Sequence, residues 1–558
     1  MKGIYLDIME KSLSAYTDRR IRDYIDEVKQ DGLTEHGFPR LAANIGILIA
    51  HGRRVELTDT FIEIMDICCD QMPKRKAAND FSIREVCYCL MLMEDKQAIE
   101  QRLIDKWRIQ LTNFDPWNFY NVVDDHSGKF VGNWALFATV SEYVRGVFCR
   151  TDTSEFVEWQ LPCQLANIDE MGMYQDRCLG GNGNPVTYDI VPRFFFATLL
   201  SAGYRGKYQK EIEALLDKSA DITLKMQSVT GEIAFGGRSN QFLHNEPLLT
   251  SYCEMEAVRF AKKGDIKKAA QFKSAARLAA KNTLKYLSLD PISHIKNRYD
   301  VSTKIGCERY GYFNKYMITV ASNIYLALRF GDDKITPSVA PAEKGGYAVR
   351  TGEGFHKTFL NAGGYFAQID TNADFHYDAN GLGRVHKIGC PSAICLSVPF
   401  SPNPSYTLED QNSSAMSICC YAEKDGERFI GAEEYAQHTF ISSESGEHYA
   451  QAVFEVKLPQ NITLTHTYAL SEKGVDITLS GYDDVGFMLP VFEFDGKAYT
   501  NITISDKSVS VEYGGAVCIY SFEGALSSYY TVYYNRNGRY RVYEASGHSL
   551  HIEITEKE

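Results

Sequence analysis

The chain has 558 residues, of which 44% are hydrophobic and 23% are charged, and its formal net charge is −13. A globular chain of this length is too long for one ordinary core, so we expect two large domains. The acidic balance argues against a nucleic-acid partner and the lack of a long apolar run argues against a membrane span, whereas an anionic substrate needs only a local basic pocket.

The N-terminus and the cysteines indicate the compartment. The opening residues, MKGIYLDIMEKSLSAYTDRR, are unlike a signal peptide because acidic residues interrupt their apolar part. The 14 cysteines are scattered and form no CxxC pair, which is typical of reduced, mostly buried thiols. Together these features predict a cytoplasmic protein. They leave the oligomeric state open, and a homo-oligomer is compatible with them.

Residues 1–333 are predicted to form helices in series, because apolar residues recur there at helical spacing. Thr58 and Ser82 occupy positions where N-caps are expected. Long polar loops separate several helices, which favours an incomplete (α/α) toroid whose loops form a cleft at one end. The segments with helical periodicity are 11–30, 41–55, 58–72, 82–95, 133–149, 189–204, 210–226, 254–289 and 314–330.

The pattern changes after a linker that we place at residues 334–346, where Pro337 and Pro341 interrupt the helical period. Residues 347–558 contain segments with the two-residue alternation of β-strands, among them 452–458, 474–482, 502–513 and 517–522. Asn537-Gly538 at the centre of 533–543 predicts a tight hairpin. The sequence therefore predicts an α+β multidomain protein, in which an antiparallel β-sandwich follows the toroid.

The stretch from Met226 to Tyr252 is unusually polar for a connection between two helices. Side chains at this density carry a desolvation cost unless a ligand or an internal network satisfies them. The alternative is a simple helix start with Ser239 or Asn240 as its N-cap. Its polar and glycine residues are Gly236, Gly237, Arg238, Asn240, Gln241, His244, Asn245 and Glu246.

Further polar clusters occur where other loops meet helices, and a toroid would bring them to one end. They can also be structural, since tyrosines pack and arginines pair with nearby carboxylates. The helical clusters are Asn118, Asn121, Asp124, Asp125, His126, Asn133 and Trp134; Tyr188, Asp189 and Arg193; and Glu308, Arg309, Tyr310 and Tyr312. In the β-domain, a glycine-rich turn predicted over 374–389 contains His376, Asp378, Arg384, His386 and Lys387.

This mixture of side chains suits a uronic acid. Removal of the C5 proton of a uronate requires its carboxylate to be neutralised, and an amide with Arg or His nearby suits that task. A Tyr or His can take the proton, and a Tyr can return one to the leaving oxygen. The residues of these types are Asn133, Tyr188, Arg193, Arg238, His244 and Tyr310.

Residue types alone leave other functions open. Glycoside hydrolysis needs two carboxylates, and its candidates are Asp176, Asp189, Glu246 and Glu308. A non-catalytic glycan-binding protein would need only the polar and aromatic groups. No cofactor is predicted, although His376, Asp378 and His386 could hold a structural divalent metal in the β-domain.

The order of these clusters resembles the heparinase II/III-like and alginate-lyase-like superfamily of polysaccharide lyases. In that family an Asn at a helix start neutralises the carboxylate and a later Tyr transfers the proton, and Asn133 and Tyr188 match that separation. The segment 235–239 is similar to the family's glycine-rich segment, and 375–378 corresponds to its His-containing turn. The family usually has a His directly after the Asn, where this chain has Trp134.

The resemblance implies an enzyme that degrades uronate-containing oligosaccharides by β-elimination. In this hypothesis Asn133 and Arg238 hold the carboxylate, and Tyr188 and His244 handle protons. Tyr310 and His376 complete the site. Asp189 and Glu246 are more carboxylates than elimination needs, and glucuronidases of similar build exist, so an exo-acting hydrolase stays open. The remaining expected substrate-binding residues are Arg193, Asn240, Gln241, Asn245, Trp134, Arg309, Arg384 and His386.

Overall fold

The N-terminal half is helical in the computed structural model, which describes residues 1–77, 79–123, 132–176 and 184–557, apart from the side chains of 528–530. The helices of these ranges are α1 (Lys2–Ser14), α2 (Asp18–Asp31), α3 (Gly37–Ala50), α4 (Thr58–Gln71), α5 (Ile83–Lys96), α6 (Gln101–Thr112), α7 (Pro116–Phe119), α8 (Asn133–Cys149), α9 (Ser154–Leu165), α10 (Val186–Ser201), α11 (Gln209–Met226), α12 (Asn245–Lys262), α13 (Ile266–Leu287), α14 (Phe313–Phe330) and α15 (Pro341–Lys344). None of them is long and apolar enough to span a bilayer.

Two segments predicted as single helices are each broken in two. The first break is at Thr17, whose Oγ1 accepts a hydrogen bond from the backbone of Arg20 and caps α2. The second follows Lys263, where Gly264 has φ +83° and Asp265 caps α13. Ser82 is the N-cap of α5, as predicted, whereas Thr58 is the first residue of α4 rather than its cap. In both broken segments a capping side chain outweighs the apolar periodicity.

Two of the longer helices, α6 and α9, were not predicted, and neither were the four-residue helices α7 and α15. The segment of α9 contains Pro162, which argues against a helix interior and interrupts the apolar period. In the structure Pro162 lies inside α9, whose Phe156, Val157 and Leu161 are buried against the neighbouring helices. Tertiary burial therefore outweighs the local signal here.

The helices form the predicted toroid. Six of them pack side by side as an inner ring in the order α3, α5, α8, α10, α12 and α14, and α14 packs against α3. Helices α1, α4, α6, α9, α11 and α13 pack outside this ring. Because an inner helix is reached through an outer one each time, the inner helices run in the same direction, and their N-terminal ends lie together at one end of the ring.

The C-terminal half is antiparallel β-structure, as predicted. Its sheets have the strand orders β1-β2-β3-β4, β12-β13-β14-β17-β10-β9-β8-β7 and β15-β16-β11-β5-β6, and residues of all three share one core. The strands are β1 (Tyr347–Arg350), β2 (Lys357–Ala362), β3 (Tyr365–Asp370), β4 (Gly381–Lys387), β5 (Cys419–Lys424), β6 (Glu427–Ile430), β7 (Gln437–Gly446), β8 (Tyr449–Leu458), β9 (Ile462–Ser471), β10 (Gly474–Ser480), β11 (Val485–Phe494), β12 (Asn501–Ile504), β13 (Ser508–Tyr513), β14 (Ala516–Phe522), β15 (Leu526–Asn535), β16 (Gly538–Ser546) and β17 (Ser549–Glu556).

Two local β predictions need correction. The hairpin turn is centred on Arg536 and Asn537, one residue earlier than predicted, because the Asn535 side chain accepts hydrogen bonds from the backbones of Asn537 and Gly538. The turn predicted over 374–389 ends at Asn380. From Gly381 the chain pairs with β3, and this pairing outweighs the glycine content of the segment.

Strands β2 and β3 join the two halves of the protein. Phe359 and Phe366 pack into the helical core, whereas Leu360 and Ala367 pack into the β core. Successive side chains of a strand point to opposite faces, so one pair of strands contributes to both cores. The four-stranded sheet is therefore buried on both faces and fixes the β half against the toroid.

Candidate active site

A cavity of about 330 Å³ lies at the end of the toroid where the N-termini of the inner helices meet. We call it the toroid cavity. Every inner helix contributes residues from its first turns or from the segment just before it. These include Glu35, His36 and Arg40 at α3; Phe81 at α5; Asn133 and Trp134 at α8; Thr187 and Tyr188 at α10; His244 at α12; and Tyr312, Lys315 and Tyr316 at α14. Helix N-termini carry partial positive charge, so this end favours an anionic ligand.

Three hydroxyl groups form a chain in the cavity wall. The Tyr188 hydroxyl lies 2.8 Å from Ser239 Oγ, which is also in contact with the Tyr310 hydroxyl. The Arg238 guanidinium lies over the Tyr310 ring, 4.3 Å from its centroid. Burial raises the pKa of Tyr188, and the Arg238 charge opposes that rise. The arrangement provides two half-buried phenols beside a cation, which suits proton transfer.

The loop that carries Arg238 and Ser239 is held from several sides. The Ser239 backbone donates a hydrogen bond of 2.7 Å to Glu308 Oε1. The Gly237 backbone donates one of 3.0 Å to Asp378 Oδ2, and the Gln368 side chain bonds both backbone groups of Phe235. Asp378 and Gln368 belong to the β half. The β half therefore positions the loop, although the cavity itself is lined by the helical half.

Two uncharged imidazoles line the cavity. Burial, followed by the charges of Arg40 and Lys296, lowers the pKa of His244 to about 3. Burial and the neighbouring Arg40 and Lys315 also lower the pKa of His36 well below its usual value. Each Nδ1 is buried without a hydrogen-bond partner among the described residues. Both rings are therefore neutral near pH 7.

Asn133 and Trp134 begin α8 at the cavity. The Asn133 amide donates one hydrogen to Asp176 Oδ2 at 2.6 Å, which orients the amide and leaves its second hydrogen for another acceptor. Trp134 is 44% exposed and packs edge-on against Phe81. An exposed indole at a cavity rim offers a flat apolar face for a sugar ring.

Glu35 supplies a carboxylate to the cavity and is already engaged. It accepts hydrogen bonds from the backbones of Gly37 and Phe38 and from the Tyr24 hydroxyl. Burial nevertheless raises its pKa. Lys315 Nζ lies 3.9 Å from Glu35 Oε2, so the carboxylate also faces a cation.

The sequence-predicted carboxylates lie outside the lining of the toroid cavity. Asp189 forms a fully buried ion pair with Arg193 and accepts a 2.7 Å hydrogen bond from the backbone of Tyr174. Glu246 is fully buried and pairs with Lys296 at 2.9 Å. Asp189 and Arg193 are four residues apart in α10, so their ion pair links successive turns of that helix. In this structure these pairs hold the inner ring and its loops together.

The amides of the 226–252 stretch satisfy backbone carbonyl groups. Asn240 donates to Ala234 O, Gln241 donates to Lys296 O, and Asn245 donates to the carbonyls of Ser239 and Asn240. None of the three lines the toroid cavity. A buried loop must pair its own backbone groups, so these amides shape the loop that presents Arg238.

The β-domain candidates do not form one cluster either. Arg384 donates to Ile233 O and Ser397 O, and His386 is bonded through both ring nitrogens to Ser228 and Ser397. His376 is 66% exposed beside Asp374. Within the described parts of the chain, no group of three or more His, Cys, Asp or Glu residues is placed to hold a metal ion. Arg309 lines a second cavity, described below.

Three sequence candidates, Asp124, Asp125 and His126, lie outside the described residues. Five residues of the cavity lining were not predicted from the sequence, namely Glu35, His36, Arg40, Lys315 and Tyr316. Their signal is weak, since each is a single polar or aromatic residue near a helix start. They meet because α14 packs against α3, and no local pattern encodes that contact.

No protein-family model and no curated protein matches the chain. Among solved structures it is similar to a mutant of heparan sulfate lyase HepC from Pedobacter heparinus, with 10% identity over 92% of this chain and 76% of the other, at a TM-score of 0.47. A mutant chondroitin AC lyase of Streptomyces coelicolor A3 has 10% identity over 99% and 82%, at 0.44. A glycosyl hydrolase family 88 protein from Bacteroides vulgatus has 12% identity over 59% and 99%, at 0.37.

Ser239 allows the hydroxyl chain to be tested separately from the backbone. Its φ of +65° lies in the left-handed region, which glycine adopts without strain. We expect Ser239→Gly and Ser239→Ala to lower turnover equally, on the order of 10²-fold, because both release the two tyrosines. The free energy of unfolding of the glycine variant should be about 1 kcal/mol higher than that of the alanine variant. Steady-state kinetics and urea unfolding measure the two effects, and unequal turnover would show that backbone strain causes the loss.

Asp378 makes stability depend on pH. Burial raises its pKa to about 7, whereas an unfolded Asp titrates near 3.9. Its stabilising contribution is complete below about pH 4 and is lost as the pH rises to about 7, because the unfolded chain releases the proton first. We expect Asp378→Asn to gain stability relative to the unchanged protein across this window, by at most about 1.4 kcal/mol per pH unit.

Asp495 provides the control for this measurement. Although burial raises its pKa, hydrogen bonds from the backbones of Ala498 and Lys497 outweigh burial and lower it. The Asp495→Asn difference should therefore stay constant from pH 5 to 7, because the carboxyl is ionised in both the folded and unfolded states. Urea unfolding at pH 5, 6, 7 and 8 measures both variants. A constant Asp378→Asn difference would contradict the prediction.

Proposed function

We propose that this protein degrades uronate-containing oligosaccharides by β-elimination at the toroid cavity. The observation that supports this most directly is the meeting of Asn133, Tyr188, Arg238 and His244 in one cavity. The chemistry needs an amide and a cation for the carboxylate, and groups that accept and donate a proton. These four side chains supply both pairs of functions.

In the proposed reaction the Asn133 amide and the Arg238 guanidinium bind the uronate carboxylate and stabilise the charge that develops on it. A base removes the C5 proton, the electrons of the C5–H bond form the C4=C5 double bond, and the C4–O bond breaks with its electron pair passing to the leaving oxygen. The leaving oxygen takes a proton from an acid. Tyr188 and His244 are the proposed base and acid. The Ser239 hydroxyl connects the Tyr188 hydroxyl to that of Tyr310.

The surroundings favour an anionic substrate over a neutral one. The N-termini of the inner helices point towards the cavity, and Arg40, Arg238 and Lys315 line it. Glu35 is the carboxylate among the described lining residues. The sum of these charges is positive, although the whole chain is acidic, which is how a local basic pocket can select a uronate.

Exo-acting hydrolysis of the same sugars is the second candidate. Glu35 favours it, because a carboxyl group whose pKa is raised by burial can act as a general acid. Hydrolysis by a carboxylate pair also needs a second carboxylate, which acts as a base or a nucleophile. Asp176, Asp189, Glu246 and Glu308 would have to supply that second group from outside the described cavity lining.

The products distinguish the two reactions. We expect incubation with a panel of uronate oligosaccharides to raise the ultraviolet absorbance, because elimination leaves a C4=C5 bond conjugated with the carboxylate. Release of saturated uronic acid without any absorbance rise would exclude elimination and support hydrolysis. Binding without either product would support a glycan-binding protein. Localisation in the cytoplasm and assembly into a homo-oligomer are further proposals, which cell fractionation and light scattering test.

A further inference from the structure

A second cavity lies where the helical half meets the β half. It has a volume of about 560 Å³ and is lined by parts of 293–313, before and at the start of α14, and by 404–407. We call it the junction cavity. Its volume lies in the range of about 300–1,000 Å³ that small-molecule sites occupy. It is therefore large enough for a sugar residue.

The walls of the junction cavity are joined by backbone hydrogen bonds. Gly306 N–H donates to Thr407 O at 2.8 Å, and Thr407 N–H donates to Cys307 O at 3.2 Å. Glu308 and Tyr406 form an antiparallel bridge beside them. The cavity is thus formed before any ligand binds, which lowers the entropic cost of binding.

The segment 308–312 is a wall shared by the two cavities. Tyr310 lines the toroid cavity, Glu308 and Arg309 line the junction cavity, and Tyr312 lines both. Glu308 also connects them chemically, because its Oε1 accepts the hydrogen bond from the Ser239 backbone. A molecule that extends from one cavity to the other would pass Tyr312, which is 59% exposed.

Two buried acceptor atoms of the lining residues have no hydrogen-bond partner among the described residues. They are Glu308 Oε2 and His294 Nδ1, and Arg536 Nη2 lies 3.7 Å from the other carboxylate oxygen of Glu308. His294 Nε2 donates a hydrogen bond of 2.7 Å to Gly311 O, so Nδ1 is left as an acceptor. Unsatisfied buried groups are unfavourable, and a carboxylate and an imidazole acceptor are satisfied by hydroxyl donors. A sugar ring carries several such donors.

Two cations stand at the rim. Lys304 and Arg309 line the junction cavity with exposed side chains, and neither side chain has a hydrogen-bond or ion-pair partner among the residues that the structure describes. Unpaired cations at the rim suit a carboxylate or sulfate group on the ligand. The lining acid Asp300 is already bonded to Ser302.

We propose that the junction cavity binds the neighbouring sugar of an acidic oligosaccharide whose uronate occupies the toroid cavity. Glu308 and His294 accept its hydroxyl hydrogens, and Lys304 and Arg309 bind its anionic substituent. This assignment rests on the function proposed for the toroid cavity. Because Glu308 also holds Ser239, occupation of the junction cavity helps to fix the hydroxyl chain of Tyr188 and Tyr310.

The test measures how affinity depends on substrate length. The probes are a disaccharide and a tetrasaccharide of alternating glucuronate and N-acetylglucosamine, titrated calorimetrically into the Tyr188→Phe protein so that turnover does not interfere. We expect the tetrasaccharide to bind more tightly. Adding Arg309→Gln should lower the ratio of tetrasaccharide to disaccharide affinity about 10-fold, because a charge-assisted contact is lost. Arg19→Gln, an exposed arginine outside both cavities, should keep the ratio.

The outcomes separate this inference from the proposed reaction. Equal affinity for the two lengths, including no detectable binding of either, would overturn the junction-cavity assignment, as would a ratio that Arg309→Gln leaves unchanged. If the ratio falls while the unchanged protein forms no unsaturated product, the cavity assignment survives and elimination fails. If the product forms while the ratio is unaffected, elimination survives alone. Thermal unfolding of Arg309→Gln confirms that the exposed substitution leaves the fold intact.

Discussion

Tyr188→Phe is expected to lower kcat on a uronate oligosaccharide by about 10²- to 10⁴-fold, the range for loss of a general acid or base. The hydroxyl is the atom that meets Ser239 in the cavity wall, and phenylalanine keeps the ring and its packing. KM should change much less than kcat, because Asn133 and Arg238 still bind the carboxylate. Ultraviolet absorbance of the unsaturated product measures both constants.

Two further variants make this result specific. Tyr310→Phe should also lower kcat, because it removes the other end of the same hydroxyl chain. Tyr365→Phe is the matched control, since its buried hydroxyl bonds the backbone of Ile554 in the β half and should affect stability alone, by about 1 kcal/mol. A folded Tyr188→Phe protein with full activity would exclude this phenol from proton transfer.

Lys296→Met is expected to lower the free energy of unfolding by about 3–5 kcal/mol. The substitution leaves the fully buried Glu246 carboxylate without its cation, and an uncompensated buried charge is strongly destabilising. Urea unfolding followed by circular dichroism measures the change.

The double variant Glu246→Leu with Lys296→Met should regain part of that loss, because it removes the stranded charge. Lys29→Met provides a surface comparison, since Lys29 and Glu63 form an exposed pair, and its cost should stay below about 1 kcal/mol. A loss below 1 kcal/mol for Lys296→Met would mean that Glu246 takes up a proton or is solvated. Glu246 would then become a stronger candidate for the acid that hydrolysis needs.

The architecture was predictable because periodicity reports which face of an element is buried. Helical spacing up to Phe330 and two-residue alternation beyond Tyr347 distinguish the halves, and polar loops between helices indicate a cleft. Breaks such as Thr17 and Gly264 were harder to predict, because a cap or a single left-handed glycine interrupts an otherwise continuous apolar pattern.

Residues of the candidate site were predictable only where a residue type that suits the chemistry also stands at the junction of a loop and a helix. Asn133, Trp134, Tyr188, Arg238, His244 and Tyr310 are cavity residues that the sequence singled out. Sequence could not separate them from Asp189, Arg193 or Glu246, because a buried ion pair and a catalytic group use the same residue types. His36 and Lys315 meet only through the packing of α14 against α3, which depends on the whole ring.

The shared sheet of β2 and β3 has a consequence for how the protein loses its structure. Since Phe359 and Phe366 belong to one core and Leu360 and Ala367 to the other, melting of either half would expose apolar surface on the other. We therefore expect the two halves to unfold as one cooperative unit. The same sheet carries Gln368, which bonds the backbone of the loop in front of Arg238, so loss of the sheet would release that loop together with both cores.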